Sequence, residues 1–265
     1  MAAGKFYITP NGDAYTNMAL DEWALEKVRG RSGDIPAILR IYTWNKGAIT
    51  FGYNQKLEKA VDLALVDDGT AVIRRITGGR AIYHDPTELT FSLVLDINSL
   101  PSKARSLSAT NRLISDALVE ILARFGHSAD WLDRSDRGFQ ESLHANMKSC
   151  FGSVSKYEVI DGHGKIAGGA QRRLGDYLVH QGSIKINGIS EYPAIGQKAS
   201  PPSFVPARED EETGFFTIDQ FAPVFREVFG EKLEMDFKMT DFLPEELEEI
   251  MNLRVNLIEN CLEKR

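Results

Sequence analysis

A chain of 265 residues with 43% hydrophobic and 26% charged side chains has a globular composition, which excludes disorder and collagen-like repeats. Its 31 Lys and Arg against 38 Asp and Glu leave a net charge of −7, which argues against nonspecific nucleic-acid binding. No run approaches the roughly 18 apolar residues that span a bilayer. Met1 to Pro10 has no basic stretch leading into an apolar one, so no membrane association and a cytoplasmic location are expected.

Asn17 to Arg29 reads as a helix, with Met18, Leu20, Trp23, Ala24 and Val28 on one stripe, and Gly30 to Pro36 breaks it. Ala37 to Tyr42 and Ala48 to Tyr53 read as strands joined by the turn Asn45-Lys46-Gly47. Leu57 to Asp67 resembles a short helix, and Ala71 to Arg75 is a strand ending in Thr77-Gly78-Gly79. Leu89 to Leu95 is apolar enough for a central strand. Ser106 to Phe125 is an amphipathic helix carrying Leu113, Ala117, Leu118, Ile121 and Leu122. Gly126 to Ser149 has no period, and a long loop of this kind is commonly functional or disordered. Lys156 to Ile160 and Gly164 to Arg172 form a predicted hairpin around residues 161–164, followed by a strand over Tyr177 to Ile186. Ile189 to Glu212 is a proline-bearing loop. Thr217 to Phe229 and Pro244 to Lys264 are helices, the latter with Asp241 as N-cap and Pro244 in its first turn. The order predicts an α+β (α/β) fold, a mixed β-sheet flanked by helices. The length suits one core. A single domain over 1–265 is expected, with its core at about 17–230 and a C-terminal helix over 244–264.

The two cysteines, Cys150 and Cys261, are too few for a disulfide scaffold or a Cys-rich zinc site. Cys261 reads as a plain thiol on a charged terminal helix. The histidines, His84, His127, His144, His163 and His180, show no metal-ligand spacing, and no phosphate-binding G-x-x-x-x-G-K-[ST] is present.

Three segments could carry chemistry. Arg74-Arg75-Ile76-Thr77-Gly78-Gly79-Arg80 runs a strand into paired glycines, either a tight turn with solvated arginines or a backbone that a ligand approaches closely. Gly164-Lys165-Ile166-Ala167-Gly168-Gly169-Ala170-Gln171 opens a small-residue strand with a lysine, either a solvated hairpin cation or one at a desolvated edge. Lys148-Ser149-Cys150 ends the long loop, and a reactive cysteine needs such a place and a nearby cation to favour thiolate.

Taken in order, NMALDE, LRIYTW, ITFGYNQ, RRITGGRAIYHD with ELTFSLV, and GKIAGGAQRR with HQGSI resemble the biotin/lipoyl protein ligase superfamily. The match spans about Asn17 to Ile186. ATP-dependent lipoate ligases of that superfamily carry a third glycine where this chain has Arg80, and usually no cysteine at the place of Cys150. GGR and CFGSVSKYEV look instead like the cysteine-dependent octanoyltransferases of lipoic acid synthesis (the LipM type). A branch that moves octanoyl between lipoyl proteins usually lacks the GGRA-x-x-HD form.

The resemblance implies that Cys150 carries the acyl group and that Lys165 lowers its thiol pKa. The implied donor is the phosphopantetheine thioester of acyl carrier protein. The implied acceptor is a lysine of a lipoyl-domain protein, such as glycine cleavage H protein or an E2 subunit. No ATP and no metal are expected, because exchange between thioesters is near thermoneutral, and a monomer is the family's default. Trp44, Tyr53 and Ile82 could wall the acyl slot. Gly78, Gly79 and the segment Gly168, Gly169, Ala170 could supply oxyanion donors. Arg75, Arg80, Gln171, His84 and His180 are substrate-site candidates by motif position. Residues 145–173 hold five cations against two acids, a basic stretch that with Arg74, Arg75 and Arg80 would steer an acidic carrier protein. The competing readings are an ATP-dependent lipoate or octanoate ligase and a catalytically silent acyl-binding module.

Overall fold

The computed structural model describes residues 2–30, 35–131, 157–162, 164–186, 192–197 and 217–262. In chain order, β1 (Ala2–Gly12) leads to α1 (Ala14–Arg29), β2 (Ala37–Trp44), β3 (Ala48–Phe51) and a single turn α2 (Leu57–Ala60). Then come β4 (Ala71–Arg74), β5 (Ile82–His84), β6 (Leu89–Asp96), α3 (Leu107–Arg124) and β7 (Asp130–Trp131). The remaining elements are β8 (Val159–Asp161), β9 (Gly164–Leu174), β10 (Tyr177–Ile184), α4 (Ile218–Leu233), β11 (Met235–Met239) and α5 (Pro244–Leu262).

An eight-stranded sheet runs in the order β11-β1-β2-β6-β10-β9-β8-β7, beside a three-stranded sheet β4-β3-β5. The pairs β11–β1, β1–β2 and β3–β4 are parallel and the others antiparallel, so both sheets are mixed as expected. The apolar run of β6 is explained by burial on both faces. Phe91, Leu93 and Leu95 meet the core that includes Ile121 of α3 and Phe225 of α4. Val94 meets Leu20 and Trp23 of α1 and Ile250 of α5 on the other face.

Local chemistry sets the helix ends. The Asp13 carboxylate accepts from the N–H groups of Tyr15 and Thr16, so α1 starts before the stripe that predicted it. Ser106 caps α3 by accepting from Ala109. At α5 the N-cap position is Leu243, so the expected Asp241 cap lies two residues too early. Glu246 instead reaches back to accept from the Leu243 N–H at 3.0 Å, the return half of a capping box.

Three expectations change. The run 37–42 and 48–53 is not a hairpin: β2 already has β1 and β6 on its two edges, so β3 founds the second sheet. The helix expected over 57–67 is one α turn and a 3₁₀ turn at Leu63–Leu65, where Asp62 caps by accepting from Ala64 and both leucines are exposed. The packed core also reaches beyond 17–230, because Phe6 of β1 and Met235 and Phe237 of β11 are buried in it.

Candidate active site

Where the glycine turn after β4 meets β9 and β10, the surface sinks into a cavity of about 320 Å³. That size suits a small-molecule group. Its less buried side carries Arg80, Glu158, Lys165 and Gly168, and its deeper wall carries Met18, Tyr42, Thr50, Arg75, His84, Thr90, Gln181 and Ser183.

Lys165 stands near the start of β9, where a register shift against β8 lets Val159 pair with Ala167 and Ile160 with Lys165. Its ammonium lies 2.5 Å from a carboxylate oxygen of Glu158. The side chain crosses the face of Gly168, where an added Cβ would fall 2.4 Å from Lys165 Cε and 2.7 Å from Nζ. The small residue that the sequence places there is thus the space the lysine occupies. Glu158 carried no signal by itself; its pairing across the hairpin turn is what assigns it.

Arg75 organises the turn. Its Nη1 donates to the Thr50 carbonyl at 3.1 Å and to Thr50 Oγ1 at 3.2 Å, and its Nη2 donates to the carbonyls of Gly78 and, at 2.9 Å, Arg80. Burial pulls its pKa down to about 10, so it stays charged at neutral pH. Gly79 has φ of 87°, a left-handed geometry, and a Cβ there would also strike Arg75 Nη2. From the sheet side, Thr77 Oγ1 donates to Gln181 Oε1 at 2.6 Å, and Gln181 Nε2 donates to Asp21 at 2.5 Å. Asp21 also accepts from Arg40 Nη2 at 2.6 Å, which forms a buried ion pair beneath the cavity.

His84 lies deeper. Its Nδ1 is 2.5 Å from Glu88 Oε1 and its Nε2 is 2.8 Å from Thr50 Oγ1. Glu88 also accepts from Ser183 at 2.8 Å, from Thr90 at 3.0 Å and from the Lys185 ammonium. Burial alone would raise the Glu88 pKa, but Lys185 and His84 outweigh it and hold it near 2. For His84, burial wins over the Glu88 carboxylate, and Lys185 and Arg75 push the same way, so its pKa is lowered.

Of the residues expected at the site, the fold brings Arg75, Gly79, Arg80, His84, Lys165, Gly168, Gly169 and Ala170 to this cavity. Ile82 joins its wall. Trp44 stands behind it, stacked on His84 at 4.1 Å and donating to Thr90. Gly78 serves through its carbonyl, on Arg75. Tyr53 is exposed under the Arg172 guanidinium, 3.4 Å from the ring centroid. Gln171 donates to the Leu107 carbonyl at 2.7 Å, away from the lining. Cys150 lies outside the described residues, as do Lys148 and Lys156. The expected basic rim loses Arg75 to burial, and Arg74 donates to the carbonyls of Tyr53 and Gln55 at 2.6 and 2.7 Å.

His180 is on the opposite face of the sheet from Gln181, stacked on Phe91 at 5.5 Å. Both its ring nitrogens are buried without a hydrogen-bond partner among the described residues, and burial lowers its pKa to about 4 from an ordinary value near 6.5. The folded chain therefore binds fewer protons here than the unfolded chain between those values, so stability is lost as pH falls from about 6.5 towards 4. His180→Phe is expected to keep the ring stack and flatten that acid limb, which melting midpoints across pH 4 to 7 will read. An unchanged acid limb would refute the assignment.

Residues 13–196 match the lipoyl protein ligase A/B catalytic domain family. The chain is 36% identical over 188 residues to octanoyltransferase LipM of Kyrpidia tusciae, covering 71% of this chain and 67% of the relative. It is 30% identical to octanoyltransferase LipM of Staphylococcus epidermidis across 94% of both chains. Its fold is similar to that of a lipoate-protein ligase A solved with ATP bound. The TM-score is 0.69 at 23% identity, over 96% of this chain and 94% of the other.

Proposed function

The chain belongs to the lipoyl protein ligase A/B catalytic domain family, with octanoyltransferases among its relatives, and from there we propose that it is an octanoyltransferase of lipoic acid synthesis. It takes octanoyl from acyl carrier protein onto Cys150 as a thioester and passes it to a lysine of a lipoyl-bearing protein such as glycine cleavage H protein. The observation that carries this reading is Lys165, a cation held by Glu158 over Gly168 at the cavity edge.

A lysine ammonium beside a thiol favours thiolate, the nucleophilic form. Cys150 thiolate attacks the thioester carbonyl, the phosphopantetheine thiolate leaves, and one thioester replaces another. No ATP is consumed, because the C–S bond made matches the one broken. The acyl tail lies in the cavity against Met18, Ile82 and Ala170, at about 0.8 kcal/mol per buried CH₂. Arg75 pins the turn through the Gly78 and Arg80 carbonyls, and the backbone N–H groups of Gly78 and Gly79 are its candidate oxyanion donors.

Incubation with octanoyl-carrier protein without ATP, followed by intact-mass measurement, tests the proposal. A thioester adduct that disappears in Cys150→Ala is expected. Modification of a lipoyl domain only when ATP and octanoate are supplied would make the chain a ligase. Neither product would leave an acyl-binding module.

A further inference from the structure

A phosphopantetheine thioester ends in a long arm, and the far end of that arm is a negatively charged phosphate ester. We propose that Arg172, held on the ring of Tyr53, seats this phosphate and so sets how the donor's arm enters. The seat rests on the acyl-transfer reading above.

Two arginines meet at Tyr53. The Arg172 guanidinium lies over the exposed Tyr53 ring, 3.4 Å from its centroid, and its Nη1 donates to the Ile76 carbonyl at 3.2 Å. Arg74 donates to the Tyr53 carbonyl at 2.6 Å and to the Gln55 carbonyl at 2.7 Å. Among the described residues neither arginine is paired with a carboxylate, and Nε and Nη2 of Arg172 make no hydrogen bond. Carbonyls thus hold both guanidinium groups in place without neutralising them. A guanidinium stacked on a ring and tethered at one nitrogen keeps its other N–H groups in a fixed fork, which suits the oxygens of a phosphate.

The reach also fits. Lys165 Nζ lies over Gly168, and Arg172 follows four residues later on the same face of β9. At about 3.3 Å per residue the separation is ~13 Å. From sulfur to phosphorus the arm has about thirteen bonds, the backbone of roughly four residues, and it extends to ~15 Å. With the acyl tail in the cavity, the arm leaves across a low rim. Gly79 and Gly169 are exposed, and a Cβ on Gly78 would stand in open space. Charge favours one direction along the strand. The hairpin that opens β9 holds the carboxylates of Glu158 and Asp161, so the end that carries Arg172 is the better one for a phosphate.

The experiment compares octanoyl-4′-phosphopantetheine with octanoyl-pantetheine, which lacks only the phosphate, as donors to the full chain. Adduct formation is timed by intact mass, and binding of the two arms without an acyl group is measured by calorimetry. The wild type is expected to prefer the phosphorylated donor at least tenfold, through KM rather than kcat, and to bind phosphopantetheine at least tenfold more tightly than pantetheine. Arg172→Gln is expected to bring both ratios below threefold. Arg172→Lys should fall between, because lysine keeps the charge and loses the fork. A purely structural role would lower both donors together and leave the ratios in place, so that outcome overturns the seat. A wild type that treats the two arms alike also overturns it. If Arg172→Gln does not fold, Tyr53→Leu, which removes the platform, takes its place. ATP that binds more tightly than phosphopantetheine, with the same dependence on Arg172, would assign the seat to a nucleotide phosphate and overturn the donor-arm assignment. No adduct from any thioester donor would overturn the acyl-transfer reading, while the binding ratio still decides the phosphate seat.

Discussion

Lys165→Met is expected to slow formation of the octanoyl adduct by well over tenfold at pH 7 and to give the residual rate a slope. An unassisted thiol with a pKa near 8.5 is only about 3% ionised at pH 7, so the loss of thiolate alone costs about 30-fold relative to a fully ionised cysteine. The variant's rate should then climb roughly tenfold per pH unit until about pH 8.5, whereas the wild type levels off earlier. Gly168→Ala provides the companion test. The added methyl would meet Lys165 Cε at 2.4 Å, so the ammonium must move without being removed. A partial loss with the same pH slope is expected. Adduct formation with a flat pH response in both variants would show that Lys165 does not act on the thiol.

Asp21→Ala is expected to produce the largest loss of stability of any single change near the site. It strips the carboxylate from Arg40, which is 1% exposed, and from Gln181. Removing one partner of a buried ion pair costs about 3–5 kcal/mol, because the remaining charge stays buried. The π-face of Tyr42, 3.7 Å from the guanidinium, cannot replace it. Urea unfolding will show a lower midpoint with little change in slope. The double variant Asp21→Leu with Arg40→Met should recover much of the loss, since no charge is then stranded. Activity should not recover with it, because Gln181 still lacks its anchor and Thr77 its fixed acceptor.

How much of this was legible follows from what each element needs. β6 announced itself because both its faces are buried and the sequence therefore has no polar alternation to hide it. Lys165 and the paired glycines were visible as local patterns, and the fold gathers them at one cavity. β1 and β11 were missed because a parallel pair between remote segments has no turn to mark it. The Asp21–Gln181–Thr77 chain was equally invisible: its members are 160 and 104 residues apart, and each alone is an ordinary polar residue. Glu88 sits four residues from His84, a spacing that suggests a helix. Here a turn after β5 brings the two together instead, and that could be seen only in three dimensions.

The parallel pairing of Ala2 to Phe6 with Met235 to Met239 has a consequence for how the chain is made. β1 finds its outer neighbour only in a segment made more than 200 residues later. At roughly 5–20 residues per second, β1 spends on the order of ten seconds or more with its edge open. Such an edge is a template for pairing with other chains. A chain cut before Met235 would retain every cavity residue and still be prone to precipitate. Yield and solubility, measured at matched expression temperatures, should respond to β11 far more sharply than turnover does.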